Sequence, residues 1–77
     1  MLRSSKQAQV IGNVLKNTRL KAGLTQEQLA ANAGMDRSYL SDVERGATSV
    51  SVDTFLRICR GMKVPASKVI AEINFEN

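Results

Sequence analysis

The sequence predicts an all-α fold of five short helices, and three observations carry that prediction. Apolar residues recur at i, i+3 and i+4 steps along most of the chain. No stretch alternates apolar and polar residues as a half-buried strand would. A glycine, a proline or a Ser, Thr or Asp suited to capping punctuates each periodic segment.

The elements follow in order. Val10, Ile11, Val14 and Leu15, with Thr18 and Ala22, form one stripe of a first helix, and Gly23 ends it as a C-terminal cap. Thr25 opens the second. With Gln28 three residues on, it makes a capping box, in which each side chain covers a backbone N–H that the helix start leaves free. Leu29, Ala30 and Ala33 give this helix a small-residue face, and Gly34 stops it. Asp36 is expected to cap the third helix, whose apolar face is Tyr39, Leu40 and Val43 and whose end is Gly46. The segment ATSVS reads as a loop. Ser51 is expected to cap a fourth helix carrying Val52, Phe55, Leu56, Ile58, Cys59 and Met62. Val64-Pro65 breaks it, because proline disfavours helix in the residue before it. Pro65 suits the first turn of a fifth helix over about 65–74, with Ala66, Val69, Ile70 and Ile73 on one face. The tail NFEN is expected to fray.

Composition narrows the function classes. The 77 residues are read as one domain, 1–77, and a chain of this size buries only about 60% of its unfolded surface. With no His and a single Cys, Cys59, neither a metal-ligand set nor an internal disulfide is expected, which fits a reducing cytoplasm. No apolar run approaches the roughly 20 residues of a membrane helix, and MLRSSKQAQ lacks the apolar core of a signal peptide. The expectation is a cytoplasmic protein with no cofactor and no membrane partner. An enzyme fares badly, since there is no nucleophile with a base nearby and no phosphate-binding glycine loop. Eleven Lys and Arg outweigh seven Asp and Glu, for a net charge of +4. That balance favours polyanionic partners, although a soluble surface with a positive bias would look the same.

Helices two and three are the informative pair. Only AGMD separates their apolar patterns, and so short a turn forces two short helices to cross steeply. That is the helix-turn-helix arrangement, expected over about 25–45, whose second helix can enter the DNA major groove. Counting faces from Leu40 puts positions 36, 39 or 40, 43, 44 and 47 inward, and Arg37, Ser38, Ser41, Asp42 and Arg45 outward. Arg37 and Ser38 fall in the first turn, where base edges are met, and arginine's fork suits O6 and N7 of guanine. Asp42 could accept from a cytosine amino group or pair with Arg45. Glu44 is a charge on the apolar face, and Arg19 is its counterpart on the first helix. A buried charge needs a partner, so the two are expected to pair. The surplus apolar residues of the C-terminal third, Val64, Val69, Ile70, Ile73 and Phe75, are expected at a dimer interface.

The stretch TRLKAGLTQEQLAANAGMDRSYLSDVERG, residues 18–46, resembles the helix-turn-helix domain of phage repressors and Cro proteins. The similarity extends through SVDTFLRICRGMKVP, from about Val10 to Ile70, and DRSYLSDVERG looks most like the controller proteins of restriction–modification systems. The resemblance implies a five-helix repressor-like bundle and a homodimer on a near-palindromic operator in double-stranded DNA. It implies a buried ion pair at Arg19 and Glu44, base reading by Arg37, Ser38 and Asp42, and backbone contacts from Gln26, Tyr39 and Arg45. Ser41, Thr48 and Ser49 are expected to add neutral backbone contacts. Asp42 departs from the longer or neutral residues often found at its position, and the loop ATSVS lacks the Lys and Arg that some phage repressors carry. The expected function is a sequence-specific transcriptional regulator, with RNA polymerase as a further partner. The alternative is an antitoxin that binds a toxin protein and autoregulates its operon.

Overall fold

Capping chemistry sets where the helices begin. The computed structural model describes residues 5–74 and within them five helices and no strand: α1 (Lys6–Lys21), α2 (Gln26–Ala33), α3 (Arg37–Arg45), α4 (Val52–Met62) and α5 (Ala66–Ala71). Ser5 Oγ accepts from the Ala8 N–H at 2.9 Å, so α1 starts a full turn before its expected stripe. The capping box of α2 is complete. The Gln28 N–H donates to Thr25 Oγ1 at 3.0 Å, and the Thr25 N–H donates to Gln28 Oε1 at 2.9 Å. Ser51 Oγ caps α4, accepting from the Thr54 N–H at 3.1 Å. Asp36 precedes α3 in extended backbone but makes no side-chain cap.

Left-handed residues cap the ends of α2, α3 and α4. Gly34, at φ 69°, closes α2, and the Met35 N–H turns back to the Ala30 carbonyl at 3.0 Å. Gly46 does the same for α3. At the end of α4 the left-handed residue is Lys63, a non-glycine at φ 60°. The fifth helix is shorter than the expected 65–74. The Glu72 and Ile73 N–H groups return to Val69 and Ile70 at 3.0 Å each, tightening its last turn.

The core gathers Leu15, Leu29, Leu40, Val43, Phe55, Ile58, Cys59, Met62, Val69 and Ile73. Burial pushes the Cys59 thiol above its usual pKa, so it stays neutral at neutral pH. Four expectations need correction. The buried positions of α1 are Ala8, Gly12, Leu15 and Arg19, while Val10, Ile11 and Val14 are half-buried and Ala22 is exposed. The rotation follows from a close crossing with α3: a Cβ on Gly12 would lie 2.2 Å from the Val43 carbonyl oxygen. On α4, Val52 and Leu56 are exposed, at 76% and 39%. Asp36 and Ala47, counted inward, are exposed because each lies beyond the nine-residue helix, where its phase no longer applies. Val69 and Ile73, expected at a dimer interface, are buried at 1% and 8% in the protomer's own core. The turn at Val64-Pro65 folds α5 back across the bundle and points them inward. Val64 is half-buried against the same core, and Ile70 is exposed. Phe75 lies outside the described residues. Among those described, no helix is long and apolar enough to cross a membrane.

Candidate nucleic-acid interface

One side of α3 is committed to the core and the other is not. Leu40, Val43 and Glu44 are buried. Arg37, Ser38 and Arg45 are exposed, and Tyr39, Ser41 and Asp42 are half-buried. The outward residues share one face because 37, 41 and 45, like 38 and 42, stand four apart on a helix. The element is short, roughly 13 Å of helix at 1.5 Å per residue.

Glu44 is anchored from both sides. Arg19 Nε donates to Glu44 Oε2 at 2.7 Å and Nη2 donates to Oε1 at 3.1 Å, while Nη1 donates to the Leu24 carbonyl at 2.7 Å. The side chains are 7% and 1% exposed, a buried bidentate pair with its remaining donor satisfied. Gln26 Nε2 then donates to Glu44 Oε1 at 3.0 Å, and Gln26 Oε1 accepts from Arg37 Nη1 at 3.3 Å. Chemistry orients this amide: its NH₂ meets a carboxylate and its carbonyl meets a guanidinium. A chain of hydrogen bonds thus runs from the buried Arg19 to the exposed Arg37. Reading the sequence places Gln26 at the start of α2 but misses its link to Arg37, because the partners are distant in sequence and neither breaks an apolar stripe.

Arg19, Thr25, Gln26, Glu27 and Arg37 line an open polar cleft where α2 and α3 begin. A guanidinium beside the positive end of a helix suits an anion. At the far end of α3, Arg45 pairs with Asp42 on the surface, the second of the two roles expected for that carboxylate. The pairing offsets the negative charge that Asp42 presents. Thr48 and Ser49 follow, lining a shallow groove with Ser5, Gln7 and Ala8 of the α1 start. Among the described residues no three His, Cys, Asp or Glu come together as metal ligands would.

Residues 15–69 match the sequence profile of a helix-turn-helix family. The chain belongs to the Cro- and phage-repressor-type helix-turn-helix family. It is 36% identical over 66 residues to the control protein C.MunI of a Mycoplasma species, covering 84% of this chain and 89% of that protein. It is 31% identical over 64 residues to the transcriptional regulator ClgR of Mycobacterium tuberculosis, covering 83% of this chain but 57% of that longer protein. The crystal structure of the restriction-modification controller protein C.AhdI from Aeromonas hydrophila superposes with a TM-score of 0.80 at 32% identity, over 84% of this chain and 98% of that one. This helix-turn-helix protein is thus homologous to restriction–modification controllers. Arg19, Gln26, Arg37, Asp42, Glu44 and Arg45 all fall inside the matched span, and Ile70 and Ile73 lie just beyond it.

Proposed function

We propose that this protein is a transcriptional regulator that binds double-stranded DNA sequence-specifically, as a homodimer on a two-fold operator, with α3 in the major groove. The observation that carries the reading is the exposed face of α3, whose leading side chain, Arg37, is held by Gln26 beside the anion-suited start of α2. Arg37, Ser38 and Asp42 are assigned to base edges, Arg37 to guanine. Gln26, Tyr39, Ser41, Arg45, Thr48 and Ser49 are assigned to the sugar–phosphate backbone, where contacts set register. The protein acts by binding rather than by catalysis.

The whole chain serves as one domain, α2 and α3 reading DNA while α4 and α5 pair the protomers. Of the residues expected to pair the protomers, Ile70 stays on the proposed face, which otherwise extends over α4. Val52, Leu56 and Ile70 are exposed around an apolar groove floored by Phe55 and Ile73, and contiguous exposed apolar surface marks an interface. The likeness to C.MunI and C.AhdI supports a controller role beside a restriction endonuclease or methyltransferase.

Selection of bound sites from random duplexes tests the reading directly. The parent is expected to select a two-fold site with salt-sensitive affinity. Arg37→Ala is expected to lose about 1–3 kcal/mol on that site and to relax its preference at one base pair per half-site. Equal losses on specific and random DNA would make Arg37 a phosphate contact instead.

A further inference from the structure

Arg57 stands near the middle of α4, one residue after Leu56. Its Nε and Nη2 donate to the Ala33 carbonyl at 3.2 and 2.9 Å, and Nη2 donates to the Gly34 carbonyl at 2.6 Å. These carbonyls lie where the chain leaves α2 and swings toward α3. The turn itself occupies the carbonyls three residues earlier: the Gly34 and Met35 N–H groups close onto Ala31 and Ala30 at 3.3 and 3.0 Å. Arg57 therefore completes the carbonyl end of α2, where the helix carries partial negative charge and favours a cation. It has no carboxylate partner among the described residues. A fork that bridges two acceptors is particular to arginine, whereas lysine is a point donor. A second staple joins the same helices, Asn32 Nδ2 donating to the Gly61 carbonyl at 3.0 Å. Elsewhere on its surface, α4 exposes Val52 and Leu56. One short helix thus grips the turn before the recognition helix and carries part of the apolar pairing face.

We propose that Arg57 is a positioning residue for operator reading: it locks the α2–α3 turn to α4 and so sets the attitude of α3 relative to the dimer axis. The proposal rests on the dimeric reading above. In a two-fold complex each recognition helix must meet a half-site about 34 Å from its twin. A loosened turn therefore penalises the pair of helices engaged together far more than one helix engaged alone.

The test uses the two-fold site selected by the parent, the same half-sites moved apart by one base pair, and an isolated half-site. The full-length parent, Arg57→Met and Arg57→Lys are titrated on each, at several salt concentrations. Arg57→Met is expected to lose roughly tenfold or more on the selected site. Its preference for the native spacing should shrink, while half-site binding and the slope of affinity with salt stay as in the parent, since no phosphate contact is removed. Arg57→Lys should recover part of the spacing preference. A loss of equal size on all three duplexes, with a salt slope smaller by about one, makes Arg57 a phosphate contact and overturns the proposal. Unchanged affinity for the selected site overturns it too. So does a lowered melting temperature with spacing preference intact, which would leave Arg57 a purely structural residue. Should Arg57→Met fail to fold, Arg57→Lys decides: a spacing preference equal to the parent's sinks the idea. A parent that selects no two-fold site overturns the dimeric reading beneath it, which is a separate and recognisable outcome.

Discussion

Glu44 buries a carboxylate that accepts from Arg19 twice and from Gln26 once. Removing it strands the Arg19 guanidinium in a site 7% exposed. Breaking a buried pair on one side costs roughly 3–5 kcal/mol, a large part of the ~5–15 kcal/mol that holds a domain together. Glu44→Ala is accordingly expected to melt far below the parent. A thermal scan followed by circular dichroism checks this, and a midpoint within a degree or two of the parent's would contradict it. The exposed pair of Arg45 and Asp42 contrasts with it, its side chains being 64% and 47% exposed. Solvent screening leaves such pairs worth about 0–1 kcal/mol, so their consequence lies in the charge presented on the outer face of α3. At this scale the sequence is readable where a charge interrupts an apolar stripe, as at Arg19 and Glu44. It is silent where one polar residue meets another across helices, as at Gln26 and Arg37.

The helices themselves were largely legible, because caps act within one turn. Thr25 with Gln28, Ser51, Gly34 and Gly46 all stand where their chemistry places them. Lys63 is the exception with a use. It takes the left-handed conformation at φ 60° without being glycine, which costs a side chain roughly 1–2 kcal/mol. Lys63→Gly is expected to stabilise the fold by about 0.5–1 kcal/mol, part of the strain relief being offset by the freer unfolded chain. Urea unfolding should show a higher midpoint with an unchanged slope; a lower midpoint would mean that the lysine side chain contributes more than its strain costs. The phase of α1 was not legible. Its orientation is set by Gly12 lying against the α3 backbone, and nothing within α1 announces what it will cross.

For the whole molecule, the division of apolar residues between core and surface bears on the proposed dimer. Val69 and Ile73 close the protomer core, leaving Val52, Leu56 and Ile70 outside. Leu56→Asp is expected to leave the helical signal in place while sedimentation shifts from dimer to monomer and affinity for a two-fold site falls. A Leu56→Asp protein that still sediments as a dimer would remove the α4–α5 face from the account. A substitution at Ile73 would confuse the two questions, since it is part of the protomer core.

The sequence by itself determined the all-α class, most helix boundaries, the tight α2–α3 joint, the exposure of Arg37, Ser38 and Arg45 on α3 and the Arg19–Glu44 pair. All of these follow from periods and caps that act over a few residues, or from a charge that a buried face cannot leave unpaired. The tertiary structure alone decided the Gly12 crossing, the inward turn of Val69 and Ile73, the path from Glu44 through Gln26 to Arg37, and the grip of Arg57 on the α2–α3 turn. Each depends on the angle and distance at which two helices pass. That geometry comes from packing all five helices together, and no local pattern in the chain encodes it.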